Sequence, residues 1–529
     1  MRRLVLNFNL KSVIAYFFIL LLSCPAVRGQ APEISRVDYV GGLPSGMLVV
    51  NPRGNDLVGH PIDPEQIQVL AHEMVSRWIA QGFPQATVKW QAVGDEKGEG
   101  LILIFTSDPG LQEIRRFHEL QLSGNTLTHP HILLREVPLV KGEPFNTETL
   151  QAIQTQILTT ELFSSVLLVP HPTTSPGVYD LELQVEERRT GRIESGVSYA
   201  SEQGAVFLFS IQEQNFSFSP PWRGDALQPS FTANIGSELL LVEGRLRNPR
   251  LGYSLWGLVT DIYYEDNQYL SEYYSQKDWG VQLFLNHPLG RHQVVAVGGG
   301  LTQYTTYDYD DGGQDIPLFI DESEVNLHAL YGIWQFEKRN RNFRPTQGVN
   351  LMNKIGWGTS LLGGDTEVIQ YEGKGTLYMN PFHEHVIVLK GGVQMVDPQG
   401  DTELVPLPLR EWLGGVETLR GFAYHSVSPL TDTGVPMGGL SSWWSAVEYM
   451  IPVSRFLDTS LYYELGNVSE DAWDLGGNTL VSDWGIGLLV RAENFPIRFD
   501  LAFPIRVMEG DLENQKGEAL FSFSVGYTF

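Results

Sequence analysis

The sequence predicts a two-part chain, in which small α/β modules precede a transmembrane antiparallel β-barrel of about sixteen strands. Three observations predict it. From Arg192 to Phe529 apolar residues recur with period two between closely spaced turn residues. No stretch beyond the N-terminus reaches the roughly 18 consecutive apolar residues that a spanning helix needs, so any span must be built from strands. The composition is rich in glycine (54 residues) and aromatics (11%), yet only 19% charged, which suits a large sheet or barrel. A mean hydropathy of -0.11 argues against a bundle of apolar helices but fits a barrel, whose polar lumen face dilutes the average.

Residues 1–29 read as a signal peptide. Arg2 and Arg3 form a basic start, Val13 to Leu22 an apolar core, and Val27-Arg28-Gly29 a small-residue cleavage site. Leu21-Leu22-Ser23-Cys24 also loosely resembles a lipoprotein box, with an atypical second leucine. Cys24 is the single cysteine, so residues 30–529 offer no disulfide and no thiolate metal site. The net charge of -26 argues against nucleic acid as a partner, because a phosphate backbone requires a basic surface.

Residues 30–110 read as strand, helix, strand, strand. Ile34 to Val40 alternates with period two, and Asp63-Pro64 opens a helix with Asp63 as cap. Ile67, Leu70, Met74, Trp78 and Ile79 then share one helical face. Thr87 to Trp90 and Leu101 to Phe105 are strands. Residues 111–190 repeat the plan. A strand runs from Ile114 to Leu122, and a short helix covers Ile132 to Arg135. Asn146 caps a helix from Thr147 to Leu158, and strands begin at Leu162 and Tyr179. Such a module exposes a sheet edge to which an extended peptide can add.

Residues 191–529 hold the strand array. The last strands are the clearest. Phe521, Phe523, Val525, Tyr527 and Phe529 alternate with small polar residues, and Ile497, Phe499, Leu501, Phe503 and Ile505 with Arg498, Asp500 and Ala502. The apolar sets are expected to face lipid and the others the lumen. Residues 397–440 form the longest segment between strands, and a loop of that length is usually functional.

Within that segment stands Gly414-Gly415-Val416-Glu417-Thr418-Leu419-Arg420-Gly421-Phe422, followed by Gly438-Gly439 and Glu448-Tyr449. This resembles the conserved loop tip of the BamA/TamA superfamily of outer-membrane assembly barrels. Gly142-Glu143-Pro144-Phe145 and Leu162-Phe163-Ser164-Ser165-Val166 look like the second half of that family's POTRA domain. The first module is less similar, because residues 41–61 are an unusual Gly- and Pro-rich insert.

The resemblance implies a loop folded back inside the barrel, with Arg420 paired to an acid on the wall. The family places an Asp where this chain has Glu464, within Tyr463-Glu464-Leu465-Gly466-Asn467. Strand parity also turns Glu448 inward, and Asp500 is a third candidate partner. The resemblance further implies unfolded outer-membrane β-barrel clients, a lipid surface, and accessory lipoproteins or periplasmic proteins as partners. Clients would enter lipid through a weak seam between the first and last strands, where Gly196 and Gly526 weaken pairing and Phe529 ends the chain. The alternative is a two-partner-secretion pore, a family with similar parts. Its members carry a plug helix ahead of the first module, for which the sequence leaves no room after the cleavage site.

No enzyme motif is present: there is no nucleotide loop, nucleophile elbow or His-Glu-x-x-His. His383 and His385 share a strand face without a third ligand, and His129-Pro130-His131 reads as a turn before a helix. No metal site and no cofactor are expected.

Overall fold

The computed structural model describes residues 33–41, 57–80, 83, 85–94, 100–108, 115–201, 204–268, 274–308, 324–342, 344–382, 384–430, 436–476, 480–490, 497–506 and 518–525. The signal peptide, Ile114, His383, Gly526, Tyr527 and Phe529 lie outside them. Two compact units are present. One comprises residues up to 123 with 139–156 and 167–184, and the other 124–138, 157–166 and 185–529.

In the N-terminal module β1 (Ile34–Val40), β2 (Thr87–Gly94) and β3 (Leu101–Asp108) form a sheet of order β1-β3-β2, with β1 parallel to β3. Helix α1 (Pro64–Ala80) is capped by Asp63, whose Oδ1 accepts the Glu65 N–H at 3.0 Å. One face of α1, Ile67, Leu70 and Met74, packs with Ile34, Leu103 and Phe105 into a buried core.

The second module holds β4 (Arg115–Ser123), α2 (Pro130–Leu134), β5 (Pro144–Phe145), α3 (Thr147–Leu158), β6 (Phe163–Pro172) and β7 (Val178–Glu187). Its sheet order is β5-β4-β7-β6, so β4, β7 and β6 repeat the first–third–second order of the N-terminal sheet. Asn146 Oδ1 accepts the Thr149 N–H at 2.7 Å and caps α3. Two details differ from the sequence reading. Helix α2 starts at Pro130 rather than Ile132, which puts His129 at its N-cap and His131 inside it. Proline suits a first helical position, where its missing N–H has no partner to lose. Pro144-Phe145 pairs with β4 as an edge strand, a position that tolerates proline for the same reason.

Glu187, the last residue of β7, accepts hydrogen bonds from the backbone N–H of Thr126 (3.1 Å), Leu127 (3.0 Å) and Thr128 (2.6 Å). Burial raises its pKa, but these donors and the Thr126 hydroxyl outweigh burial and hold the carboxyl below its ordinary range. The turn at 126–128 is thereby fastened to the strand end that leads into the barrel.

Sixteen antiparallel strands close the barrel, as expected. They are β8 (Gly191–Ala200), β9 (Gly204–Glu213), β10 (Gln228–Gly236), β11 (Leu239–Asn248), β12 (Gly257–Asn267), β13 (Ser275–Pro288), β14 (Gln293–Tyr307), β15 (Glu324–Arg339), β16 (Gly348–Gly358), β17 (Val368–Met379), β18 (Val386–Pro398), β19 (Ser441–Ser454), β20 (Leu457–Ser469), β21 (Val481–Val490), β22 (Ile497–Arg506) and β23 (Leu520–Val525). Each pairs with its sequence neighbour, and β23 returns to β8.

Alternation decides which face each residue takes. On β20 Leu461 and Tyr463 are 51% and 45% exposed, while Tyr462 and Glu464 are 2% and 3% exposed. Trp484, Ile486, Leu488 and Leu501 add to the exposed apolar outer face. The lumen is less polar than expected on β15, where Val325, Leu327 and Ala329 are buried. The segment between β18 and β19 covers them from inside.

Among the described residues, the closing ladder pairs Ser524 with Ala200 and Val525 with Tyr199. The Ser201 N–H adds one bond to the Phe523 carbonyl at 3.1 Å. Because β8 ends at Ala200, Leu520, Phe521 and Ser522 pair with β22 but have no β8 partner among the described residues.

Candidate functional site

The segment from 399 to 440 turns into the barrel because it is amphipathic in patches. Val405 and Leu409, around the short 3-10 turn Leu407–Leu409, pack against Val325, Leu327 and Ala329 of β15, with Val368 of β17 and Val396 of β18. Leu413, Leu419, Phe422 and Val427 instead pack against Val468 of β20 and Val481 of β21. The segment therefore has one apolar foot on β15–β18 and another on β20–β21.

The second foot is a compact turn of its own. Leu413 and Val427 exchange backbone hydrogen bonds at 3.1 and 3.0 Å, and the Gly415 N–H reaches the Phe422 carbonyl at 2.9 Å. Gly414 sits at φ +109, where a Cβ would also meet the Ala423 carbonyl oxygen at 2.1 Å. Gly421 lies against the wall: a Cβ there would come within 2.5 Å of the Asp483 Cβ.

That approach delivers Arg420 to the wall, where it is only 4% exposed. Its backbone N–H donates to Glu464 Oε2 at 2.6 Å, and its Nε to Glu464 Oε1 at 2.8 Å. Nη1 donates to Asp500 Oδ1 at 3.2 Å, while Nη2 lies 3.6 Å from Glu448 Oε2. The guanidinium stacks 3.4 Å over the Tyr462 ring. Glu464, Asp500 and Glu448, the three candidate partners, thus all surround one arginine.

Four groups that the sequence reading did not assign to the site complete it. Arg498 donates to Glu448 at 2.8 Å and to Asp500 at 2.6 Å, and Lys390 reaches Glu448 at 3.4 Å. Asp483 Oδ2 accepts the Gly421 N–H at 3.2 Å. Tyr462 supplies the ring beneath Arg420. Parity offered the signal for two of them: Tyr462 shares the inward face with Glu464, and Asp483 sits opposite Glu464 in the β20–β21 ladder. The buried charges are stable because each guanidinium fork meets carboxylates on several strands.

Of the other loop-motif residues, Leu419 and Phe422 are fully buried in the second foot. Gly196 lies on β8, and a Cβ there would meet nothing within 4 Å. His385 precedes β18 rather than lying on a strand, and its Nδ1 is 2.8 Å from the Tyr449 hydroxyl.

Residues 213–529 match the Omp85 superfamily domain. The chain belongs to the Omp85 superfamily. Residues 115–188 match the POTRA surface antigen variable number repeat. The outer membrane protein assembly factor BamA of Nitratidesulfovibrio vulgaris is 26% identical over 426 residues, covering 77% of this chain and 50% of that protein. The chain spans about half the length of the curated BamA relatives it matches. Among solved structures, BamA from Haemophilus ducreyi lacking POTRA domains 1-3 aligns with a TM-score of 0.67 at 20% identity, over 94% of this chain and 100% of that one. CdiB from Acinetobacter baumannii aligns with a TM-score of 0.52 at 13% identity, over 98% of this chain and 97% of that one. This Omp85 protein is an outer-membrane barrel with its POTRA region in the periplasm. That orientation puts the 399–440 segment on the extracellular side as the sixth such loop.

The close approach at Gly421 makes a prediction for the Omp85 loop. Gly421→Val is expected to lift the tip off β20–β21, at a cost of about 1–3 kcal/mol for overpacking. Hydrogen exchange over 413–427 reads this directly, and unchanged protection in the variant refutes the tight seat.

Proposed function

We propose that the chain is an outer-membrane protein assembly and insertion factor. Unfolded β-barrel clients arrive on two periplasmic POTRA-like modules, residues 30–110 and 111–190, and enter lipid through the β8–β23 seam. The seam carries this reading. Among the described residues, Leu520, Phe521 and Ser522 pair with β22 but not with β8, and Leu520 and Phe521 are exposed. A strand edge in lipid leaves backbone groups bare at several kcal/mol each, and an incoming client strand satisfies them by pairing. Client pairing therefore supplies the driving force, with no nucleotide and no catalytic group.

The loop fits the same reading. Arg420 ties together β19 through Glu448, β20 through Glu464 and β22 through Asp500. That block stops one strand short of the seam, so β8 can part from β23 without breaking the charged cluster. The similarity to BamA relatives supports assembly over the runner-up, a secretion pore. The CdiB likeness shows a shared fold and does not separate the two.

The test is a proteoliposome assay with the purified chain. An unfolded outer-membrane barrel is added outside, and its folding is followed by protease protection. Faster folding than in empty liposomes is the expected result. No acceleration, together with open ion conductance, would instead favour a secretion pore.

A further inference from the structure

Within the second unit, segment 124–138 is fastened to the barrel turn between β9 and β10. Asn215 Nδ2 donates to the Thr128 hydroxyl at 2.9 Å, and the His129 N–H donates to the Gly224 carbonyl at 3.0 Å. Arg250, in the next periplasmic turn, lies 3.3 Å from Glu136. Three metal-ligating side chains converge in the same place. His129 Nδ1 is 2.6 Å from Asp225 Oδ1, and His131 Nε2 is 3.9 Å from that same oxygen. All three ligand atoms lie within 4.8 Å of one another.

We propose that His129, His131 and Asp225 bind a transition-metal dication of the Zn2+ class, clamping segment 124–138 to the barrel turn between β9 and β10. Two imidazoles and one carboxylate leave a fourth position for water, a common set for this ion. Tetrahedral bonds of about 2.0–2.1 Å place ligand atoms roughly 3.3 Å apart. The 2.6 Å pair must open and the 3.9 Å pair must close by similar small amounts, within the reach of side-chain torsions. Nitrogen donors disfavour Ca2+ and Mg2+.

The surroundings support a built site. The Ser217 hydroxyl donates to Asp225 Oδ2 at 2.6 Å, which leaves Oδ1 turned to both rings. Pro130 lies between the two histidines at the first position of α2, and their rings stand 5.8 Å apart. Gly224 leaves room, since a Cβ there would come 3.1 Å from the His129 ring. The side chains of His129, His131 and Asp225 are 40%, 52% and 32% exposed, so the ion can exchange with solvent. The -26 net charge adds a long-range attraction for cations.

The hydrogen bond between His129 and Asp225 does not need His131, and this makes His131→Ala the informative variant. The full chain, without a histidine tag and folded in detergent, is titrated with ZnCl2 by calorimetry and with Co2+ by visible absorption. One saturable equivalent is expected, weakened roughly tenfold or more in His131→Ala and in Asp225→Asn. The cluster of His118, Glu119 and Asp180 in the first unit is the internal control. His118→Ala is expected to leave this equivalent intact. Zn2+ should also slow hydrogen exchange over 126–131 and 214–227 in the unaltered chain but not in His131→Ala. Equal affinity in the unaltered chain and His131→Ala overturns the proposal, as does loss of the equivalent in His118→Ala alone or the absence of saturable binding. Heat-modifiable gel migration confirms that each variant is folded.

Discussion

Arg420→Ala is expected to destabilise the barrel by about 3–5 kcal/mol and to remove the acceleration of client folding, because it strands buried carboxylates without their cation. The loss falls unevenly. Arg498 still serves Glu448 and Asp500, whereas Glu464 loses contacts at 2.8 and 2.6 Å from the Arg420 side chain. Arg420→Lys should recover only part of the stability, since an ammonium is a point charge and cannot fork between Glu464 and Asp500. A second substitution separates charge from position. Glu464→Gln placed in the Arg420→Ala background removes the stranded charge, so part of the stability should return. Client folding should not return, because nothing then anchors the loop across β19, β20 and β22. Urea midpoints and the proteoliposome rate report the two effects independently. An Arg420→Ala protein with an unchanged midpoint and an unchanged client rate would remove the loop from the mechanism.

How much of this was legible in the sequence follows from the range of each interaction. Strand parity is local, so Tyr463 and Glu464 could be assigned to opposite faces from their order alone, and the structure has them 45% and 3% exposed. Sixteen strands were countable for the same reason. The partner of Arg420 was not decidable by parity, which turned more than one acid inward. The structure surrounds Arg420 with all three candidates, as a guanidinium with five donors permits. Contacts made through space left no local trace. Gly421 meets Asp483 62 residues later, and His129 meets Asp225 96 residues later. A histidine pair around a proline therefore read as a plain turn, because Asp225, which His129 meets, belongs to a barrel turn. The apolar lumen of β15 was missed because alternation assigns a residue to a face but cannot say what covers that face.

A disulfide joining residues 200 and 524 is expected to stop client insertion while leaving the barrel folded. Ala200 and Ser524 are register partners in the closing ladder. Directly opposed antiparallel residues have Cα atoms about 4.5–5.5 Å apart, inside the span a disulfide bridges. Cys24 is the only native cysteine and lies in the expected signal peptide, so Ala200→Cys with Ser524→Cys places the only thiols in residues 30–529. Oxidation then fixes the one ladder that must part if a client is to pair with either strand. The folding rate of an added client should fall to that of empty liposomes and recover on reduction, with either single-cysteine variant behaving as the unaltered chain. A secretion pore answers differently, because its substrate travels through the lumen and the seam never opens. If the oxidised protein still accelerates folding, clients do not enter through β8 and β23. The anchored Arg420 loop would then act on the lumen rather than by steadying the β19–β22 block beside the seam.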